Sequence, residues 1–175
     1  MDRSVPAIVV MGVSGSGKTT IGRALAQHLD WRFRDGDEFH GPANIDKMRA
    51  GEPLDDADRA PWLAAIARWM DACSRERVPA VVACSALKRR YRDFLREQRP
   101  QTRFLYLRVP RSELERRLQT RHHPFMSGSL LDSQLMALEE PDSSDSQAIN
   151  LDAACEVDTV VELALHELRI RDICG

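Results

Sequence analysis

The sequence predicts an α/β fold of three layers, with one parallel sheet between two layers of helices. Short, wholly apolar runs alternate with segments whose apolar residues recur at helical spacing. A strand with no polar face is a strand covered on both sides, which is the condition of a parallel sheet. A glycine-rich stretch also joins the first apolar run directly to the first helical segment.

The elements follow in order along the chain. Ala7–Met11 (AIVVM) is a β-branched run ending in the glycine loop. Thr19–Leu29 is a helix with Ile21, Ala24, Leu25 and Leu29 at its spacing. Trp31–Arg34 is a short strand that ends at Asp35-Gly36-Asp37. Ile45–Ala50 is a short helix closed by Gly51, the glycine that follows a C-cap. Trp62, Ile66, Trp69, Met70 and Cys73 share one face of a longer helix, where both tryptophans read as core packing and Pro61 reads as a first-turn proline. Ala80–Cys84 (AVVAC) is a second apolar strand, Lys88–Gln98 a basic helix and Phe104–Val109 a third strand. Ser112-x-x-Glu115 has the pattern of a capping box opening a helix with Leu114 and Leu118 inside. Arg121–Ser129 has mixed polarity and reads as a loop, Leu130–Leu138 as a helix and Pro141–Gln147 as a polar connection. Ala148–Leu151 is the final strand and Thr159–Arg171 the final helix. No repeat and no Gly/Ser linker divides the 175 residues, so residues 1–175 read as one domain.

Composition excludes several functional classes. Lys and Arg number 25 and Asp and Glu 27, so the net charge of −2 gives no global basic field for nucleic acid. No apolar run approaches the roughly 18–20 residues that span a bilayer, which argues against a membrane protein. Met1–Pro6 is short and polar, neither a signal peptide nor an Arg-rich transit peptide. Cysteines at 73, 84, 155 and 174 form no C-x-x-C pair and no zinc-spaced cluster, and read as the reduced thiols of a cytosolic protein.

The glycine loop carries the strongest chemistry. Gly12-Val13-Ser14-Gly15-Ser16-Gly17-Lys18-Thr19 matches G-x-x-x-x-G-K-[ST] at every fixed position, between a strand and a helix. Glycines let successive backbone N–H groups turn inward around phosphate oxygens, and the helix N-terminus adds partial positive charge. Lys18 reaches the β- and γ-phosphates, and the Thr19 hydroxyl is a Mg²⁺ ligand. The nucleotide site is therefore expected at residues 12–19 with Thr20.

Two absences narrow the reaction. There is no N-K-x-D motif for guanine, and the strands at Ala80–Cys84 and Phe104–Val109 run into Ser85 and Pro110, not a Walker B aspartate. The acidic group instead follows the second strand, at Asp35-x-Asp37, which suits a small-molecule kinase. One carboxylate serves the metal shell, partly through water, and the other takes the proton of the attacking hydroxyl. Asp37 is expected to be the base and Asp35 the metal-shell or structural partner. The same Asp-Gly-Asp is also an ordinary turn sequence.

Further motifs follow the P-loop: Asp35-Gly36-Asp37-x-x-His40, Asn44-x-x-Lys47-Met48-x-x-Gly51-Glu52-Pro53-Leu54 and Asp56-x-Asp58-Arg59-x-Pro61-Trp62-Leu63. Cys84-Ser85-Ala86-Leu87-Lys88 and Tyr91-Arg92-Asp93-x-Leu95-Arg96 continue the series. Together these resemble the gluconokinases, relatives of the shikimate kinases within the nucleoside-monophosphate-kinase-like P-loop fold. The resemblance runs from about Ile8 to Pro141. It implies ATP- and Mg²⁺-dependent phosphorylation of D-gluconate at its 6-hydroxyl, by a cytoplasmic homodimer in sugar-acid catabolism. Alternatives are a kinase of the same fold with another acceptor, such as shikimate or another sugar acid, and a nucleotide-binding regulator without turnover.

The resemblance also implies an acceptor site. Gluconate has one carboxylate and five hydroxyls. Lys47, Arg59, Lys88 and Arg92 are the candidate cations, Asp37, His40 and Asn44 the candidate hydroxyl partners, and Gln134 a further candidate substrate-binding residue. Lys88 and Arg92, four apart, share one helix face, which is equally consistent with a basic surface. The resemblance places a mobile lid at about residues 121–130. Arg117 and Arg121 are its expected catalytic arginines, closing over the phosphates. The family pattern R-x-x-H-F is interrupted here by Pro124, with histidines at 122 and 123. The 151–156 loop is expected near adenine.

Overall fold

β1 (Ala7–Met11) forms the centre of the sheet because every residue after the first is buried on both faces. The computed structural model describes residues 5–120 and 128–170. α1 (Lys18–Leu29) follows the glycine loop, then β2 (Arg32–Asp35), a 3₁₀ turn (Gly36–Phe39), α2 (Pro42–Arg49) and α3 (Asp56–Arg75). β3 (Ala80–Ala83), α4 (Arg89–Arg96), β4 (Thr102–Arg108) and α5 (Arg111–Thr120) come next. α6 (Gly128–Ala137), β5 (Ala148–Asp152) and α7 (Val157–Ile170) complete the chain. The sheet is five-stranded and parallel throughout, in the order β2-β3-β1-β4-β5.

Alternate residues of β1 feed two separate cores. Ile8 and Val10 pack with Ile21, Leu25, Val160, Val161, Ala164 and Leu168 of α1 and α7. Val9 and Met11 pack with Trp62, Ile66, Met70, Tyr91 and Leu95 of α3 and α4. The layers are thus α/β/α, as the apolar strands require. A third, smaller cluster joins Val13 of the glycine loop to Leu87, Leu114 and Leu131.

Two local expectations need correction. α3 opens five residues before Pro61, because Asp55 and Asp58 form a reciprocal capping box with aspartates in both roles. Pro61 therefore lies inside the helix, where it denies the Ala57 carbonyl its usual partner. The Ser112-x-x-Glu115 box does not form. The Pro110 carbonyl accepts the N–H groups of Glu113 and Leu114. Ser112 is thus already helical, and Glu115 turns back to Arg111 at 2.7 Å. The Pro141–Gln147 connection is polar but not solvated throughout, since Asp145 is 3% exposed beneath two arginines. The expected lid falls outside the described residues except for 128–130, which belong to α6. Arg121, His122, His123 and Pro124 lie outside them altogether.

Candidate active site

The loop between β1 and α1 has a backbone that only glycine adopts readily. Gly12, Gly15 and Gly17 have φ of 146°, 84° and 99°. A Cβ on Gly12 would stand 2.7 Å from Ser16 Oγ. Gly17 caps α1 with no side-chain acceptor, so the first-turn N–H groups remain open toward the loop. Lys18 Nζ folds back to the Val13 carbonyl at 3.0 Å. Burial lowers the Lys18 pKa, against the pull of Asp37 and Asp35. Ser16 Oγ is buried without a hydrogen-bond partner among the described residues. Thr20 is exposed in the first turn of α1. An anion cradle needs this donor-rich, acceptor-poor surface.

β2 carries Asp35 to the same end of the sheet, in register with Ala83 of β3, which in turn faces Val10 of β1. Thr19 Oγ1 donates to Asp35 Oδ2 at 2.5 Å. Asp35 Oδ1 accepts the Asp37 N–H at 3.0 Å and so caps the 3₁₀ turn. A hydroxyl and a carboxylate beside a phosphate cradle form a hard-oxygen donor pair that fits Mg²⁺. The Asp37 side chain, by contrast, is 87% exposed.

A packed shelf supports Asp37. Trp62 Nε1 donates to the Gly36 carbonyl at 2.7 Å, and its ring stacks on His40 at 4.6 Å and 9°. Trp62 is the core residue expected, and it also fixes the turn, a role that helix periodicity does not reveal. His40 Nε2 lies 3.9 Å from Asp37 Oδ1, and its side chain is 5% exposed. Burial chiefly, helped by Arg59 and opposed by Asp37, holds its pKa below the ordinary histidine range. Asn44 Nδ2 lies 3.3 Å from His40 Nδ1 and donates to the Asp58 carbonyl at 2.9 Å.

The four candidate cations have unequal surroundings. Lys47 is held by both oxygens of Asp58, at 2.8 and 2.9 Å. Lys88 pairs with Asp56 at 3.0 Å, and Asp56 also contacts Arg90 and the Tyr91 hydroxyl. Arg59 has no carboxylate partner among the described residues; it lies over the Tyr91 ring and donates weakly to its hydroxyl at 3.4 Å. Arg92 does not share an open face with Lys88. It is 1% exposed, pairs with Asp145 at 3.0 Å and donates to the Ala86, Leu87 and Glu139 carbonyls. Its charge is thus matched inside the protein, by Asp145 and three main-chain carbonyls. Asp56 and Asp58 are the partners of the two lysines, a pairing that the sequence reading did not single out, although Asp55-x-x-Asp58 has capping-box spacing.

Two further residues close over the loop. Arg117 Nη1 lies 3.4 Å from the Gly15 and Ser16 carbonyls, Nη2 donates to Ala153 at 2.8 Å, and Glu113 pairs with Nε at 2.7 Å. It thereby joins the glycine loop to the 151–156 segment. Gln134 is applied to Ser14, not to the Asp37 shelf: its Oε1 accepts the Ser14 N–H at 2.7 Å and its Nε2 donates to Ser14 Oγ at 3.0 Å.

The chain is similar to known proteins along most of its length. Residues 14–168 match the family model described as Shikimate kinase. The chain is 44% identical to the gluconokinase of Gluconobacter oxydans over 165 residues, covering 94% of this chain and 92% of the relative. A gluconokinase structure from Sinorhizobium meliloti is 45% identical with a TM-score of 0.85, covering 95% of this chain and 93% of that one. A sugar kinase structure from a Janibacter species is also 45% identical, with a TM-score of 0.89 and 95% coverage of each chain. With identity at this level across nearly its whole length, the chain belongs to the gluconokinase family, within the wider group of shikimate-kinase-like P-loop kinases.

Proposed function

We propose that this protein transfers the γ-phosphoryl group of ATP to the 6-hydroxyl of D-gluconate, giving 6-phospho-D-gluconate and ADP. The observation that carries the reading is the juxtaposition of Thr19, Asp35 and Asp37. A buttressed carboxylate bonds to the P-loop hydroxyl at 2.5 Å, and an exposed carboxylate follows two residues later.

In this reading, residues 12–20 bind the triphosphate. Thr19 and Asp35 would hold Mg²⁺, partly through water, and the ion supplies charge neutralisation at the phosphates when bound. Lys18 exchanges the Val13 carbonyl for phosphate oxygens and stabilises charge on the transferring group. Arg117, already over the loop, adds a second cation, and Arg121 a third. Asp37 orients the 6-hydroxyl and takes its proton late in a loose transition state. His40 and Asn44 bond acceptor hydroxyls. Arg59 grips the carboxylate, because a guanidinium without an acidic partner binds an incoming carboxylate without first breaking an ion pair. Lys47 and Lys88 line the same region with their charges already matched by Asp58 and Asp56.

The resemblance to gluconokinases extends this reading to a homodimer acting in the cytoplasm on sugar acids. No helix among the described residues is long and apolar enough to cross a membrane. A coupled ADP-release assay over gluconate, shikimate and other aldonic acids, with ATP and with GTP, tests the proposal. Turnover should be largest with gluconate and ATP, and phosphorus NMR should place the product phosphate on C6. Turnover with shikimate and not gluconate would overturn the acceptor, and equal use of GTP would overturn the nucleotide.

A further inference from the structure

Among the described residues, the N–H groups of the phosphate loop divide into two sets. Those of Gly12, Ser14 and Ser16 are bonded within the protein, to the Ser85 carbonyl at 3.3 Å, Gln134 Oε1 at 2.7 Å and the Val13 carbonyl at 3.2 Å. Those of Val13, Gly15, Gly17, Lys18 and Thr19 have no such partner. The second set is what a phosphate needs, and the first set is what keeps the loop open for it. Two of the three tethering bonds end on backbone carbonyls. The third depends on one side chain, 120 positions away in sequence.

We propose that Gln134 is a positioning residue of the phosphate loop and not a ligand of the acceptor. This rests on the nucleotide reading above and deepens it. The geometry is two-point. The amide oxygen takes the Ser14 N–H, and the amide nitrogen donates to the Ser14 hydroxyl at 3.0 Å. A single planar group thus fixes both the main chain and the side chain of one residue. α6 is itself held in place, because Leu131, one turn before Gln134, packs with Val13, Leu87 and Leu114. The loop residue before Ser14 is therefore anchored apolarly and Ser14 by hydrogen bonds, both to the same helix. Without Gln134, Ser14 rotates freely and its N–H competes for phosphate oxygens in geometries that spoil the cradle. Ordering that the free enzyme has already completed must then be completed on binding, at the expense of affinity.

The test is nucleotide binding in the absence of acceptor. Calorimetry on the full chain with ADP and ATP should show about tenfold weaker binding for Gln134→Leu, the loss expected for two neutral hydrogen bonds. The gluconate KM at saturating ATP should stay within about twofold of wild type. Ser14→Ala, which removes only the hydroxyl, should weaken nucleotide binding by about threefold, the loss of one such bond. The double variant should be no worse than Gln134→Leu alone, since the two act through one contact. The Ser14 amide should exchange faster with solvent in Gln134→Leu. If the leucine variant fails to fold, Gln134→Met, with the same chain length, reads the same quantities. Unchanged nucleotide affinity with a raised gluconate KM would overturn the proposal and return Gln134 to the acceptor site. Failure of wild type to bind either nucleotide would instead overturn the nucleotide reading itself.

Discussion

Gly36 is the tightest point in the site, and replacing it with alanine gives the most demanding test of the geometry. A Cβ there would lie 2.3 Å from the Ala83 carbonyl oxygen and 3.4 Å from Cys84 Cα. Real contacts of this kind are not closer than 3.0 Å, so the turn must retreat by about 0.7 Å. Ala83 cannot yield in its place, because β3 is paired on both sides, to β1 and β2. The moving part is therefore Gly36 with its flanking carboxylates, and the Trp62 bond to the Gly36 carbonyl moves with it. Overpacking of this size costs about 1–3 kcal/mol, or several degrees of melting temperature in a domain this large. A displacement approaching 1 Å at the reacting centre costs about a hundredfold in rate. Steady-state kinetics with gluconate and a calorimetric melt would measure both. Wild-type kcat with an unchanged melting temperature would refute the argument that this turn is sterically fixed.

Four other substitutions or conditions probe separate parts of the molecule. Asp37→Asn should lower kcat by about a hundredfold or more with nucleotide affinity nearly unchanged; a rise in gluconate KM alone would make Asp37 a binding group. Lys18→Ala should stay folded by circular dichroism and lose about a hundredfold or more in turnover. Arg92→Leu leaves Asp145 and Arg96 in a broken network and should cost about 3–5 kcal/mol in urea melts, much of it recovered when Asp145 is also replaced by leucine. The lowered pKa of His40 makes the unfolded chain the better proton acceptor as pH falls. Its contribution is thus complete above the ordinary histidine range and is lost on acidification through it. Melting temperature should fall less between about pH 8 and 5.5 in His40→Gln than in wild type.

What was legible in the sequence was local. The glycine loop, the apolar strands and the Asp35-Gly36-Asp37 turn each declare themselves within a few residues, and the structure has them where their patterns fall. What was not legible were pairings that span the chain. Nothing near Arg92 distinguishes a solvated arginine from one buried against Asp145, 53 positions later. Gln134 stood among candidate acceptor ligands because its partner, Ser14, is 120 positions away. Trp62 was legible as core from its helical spacing, but its bond to Gly36 and its stacking on His40 depend on how α3 crosses the end of the sheet. The start of α3 was misplaced for a simpler reason. Pro61 is common in first turns, and the aspartate version of the capping box is a weaker signal than Ser-x-x-Glu.

The strand order sets a timetable for assembly. β1 is made first, yet its partners arrive late: Ala7 pairs with Ala80 on one side and with Thr102 on the other. As the chain emerges from the ribosome, the apolar run Ile8–Met11 therefore waits with both edges unpaired until Ala80–Ala83 has been made, and with one edge unpaired until Thr102–Arg108 follows. Closing such long loops before any pairing is gained makes sheets of this kind slow to form. The glycine loop follows directly from β1, and Ser14 waits longer still, for α6. The glycine loop thus takes its final form only once α6 has been made, and nascent chains halted before β4 should expose a sticky edge that chaperones recognise.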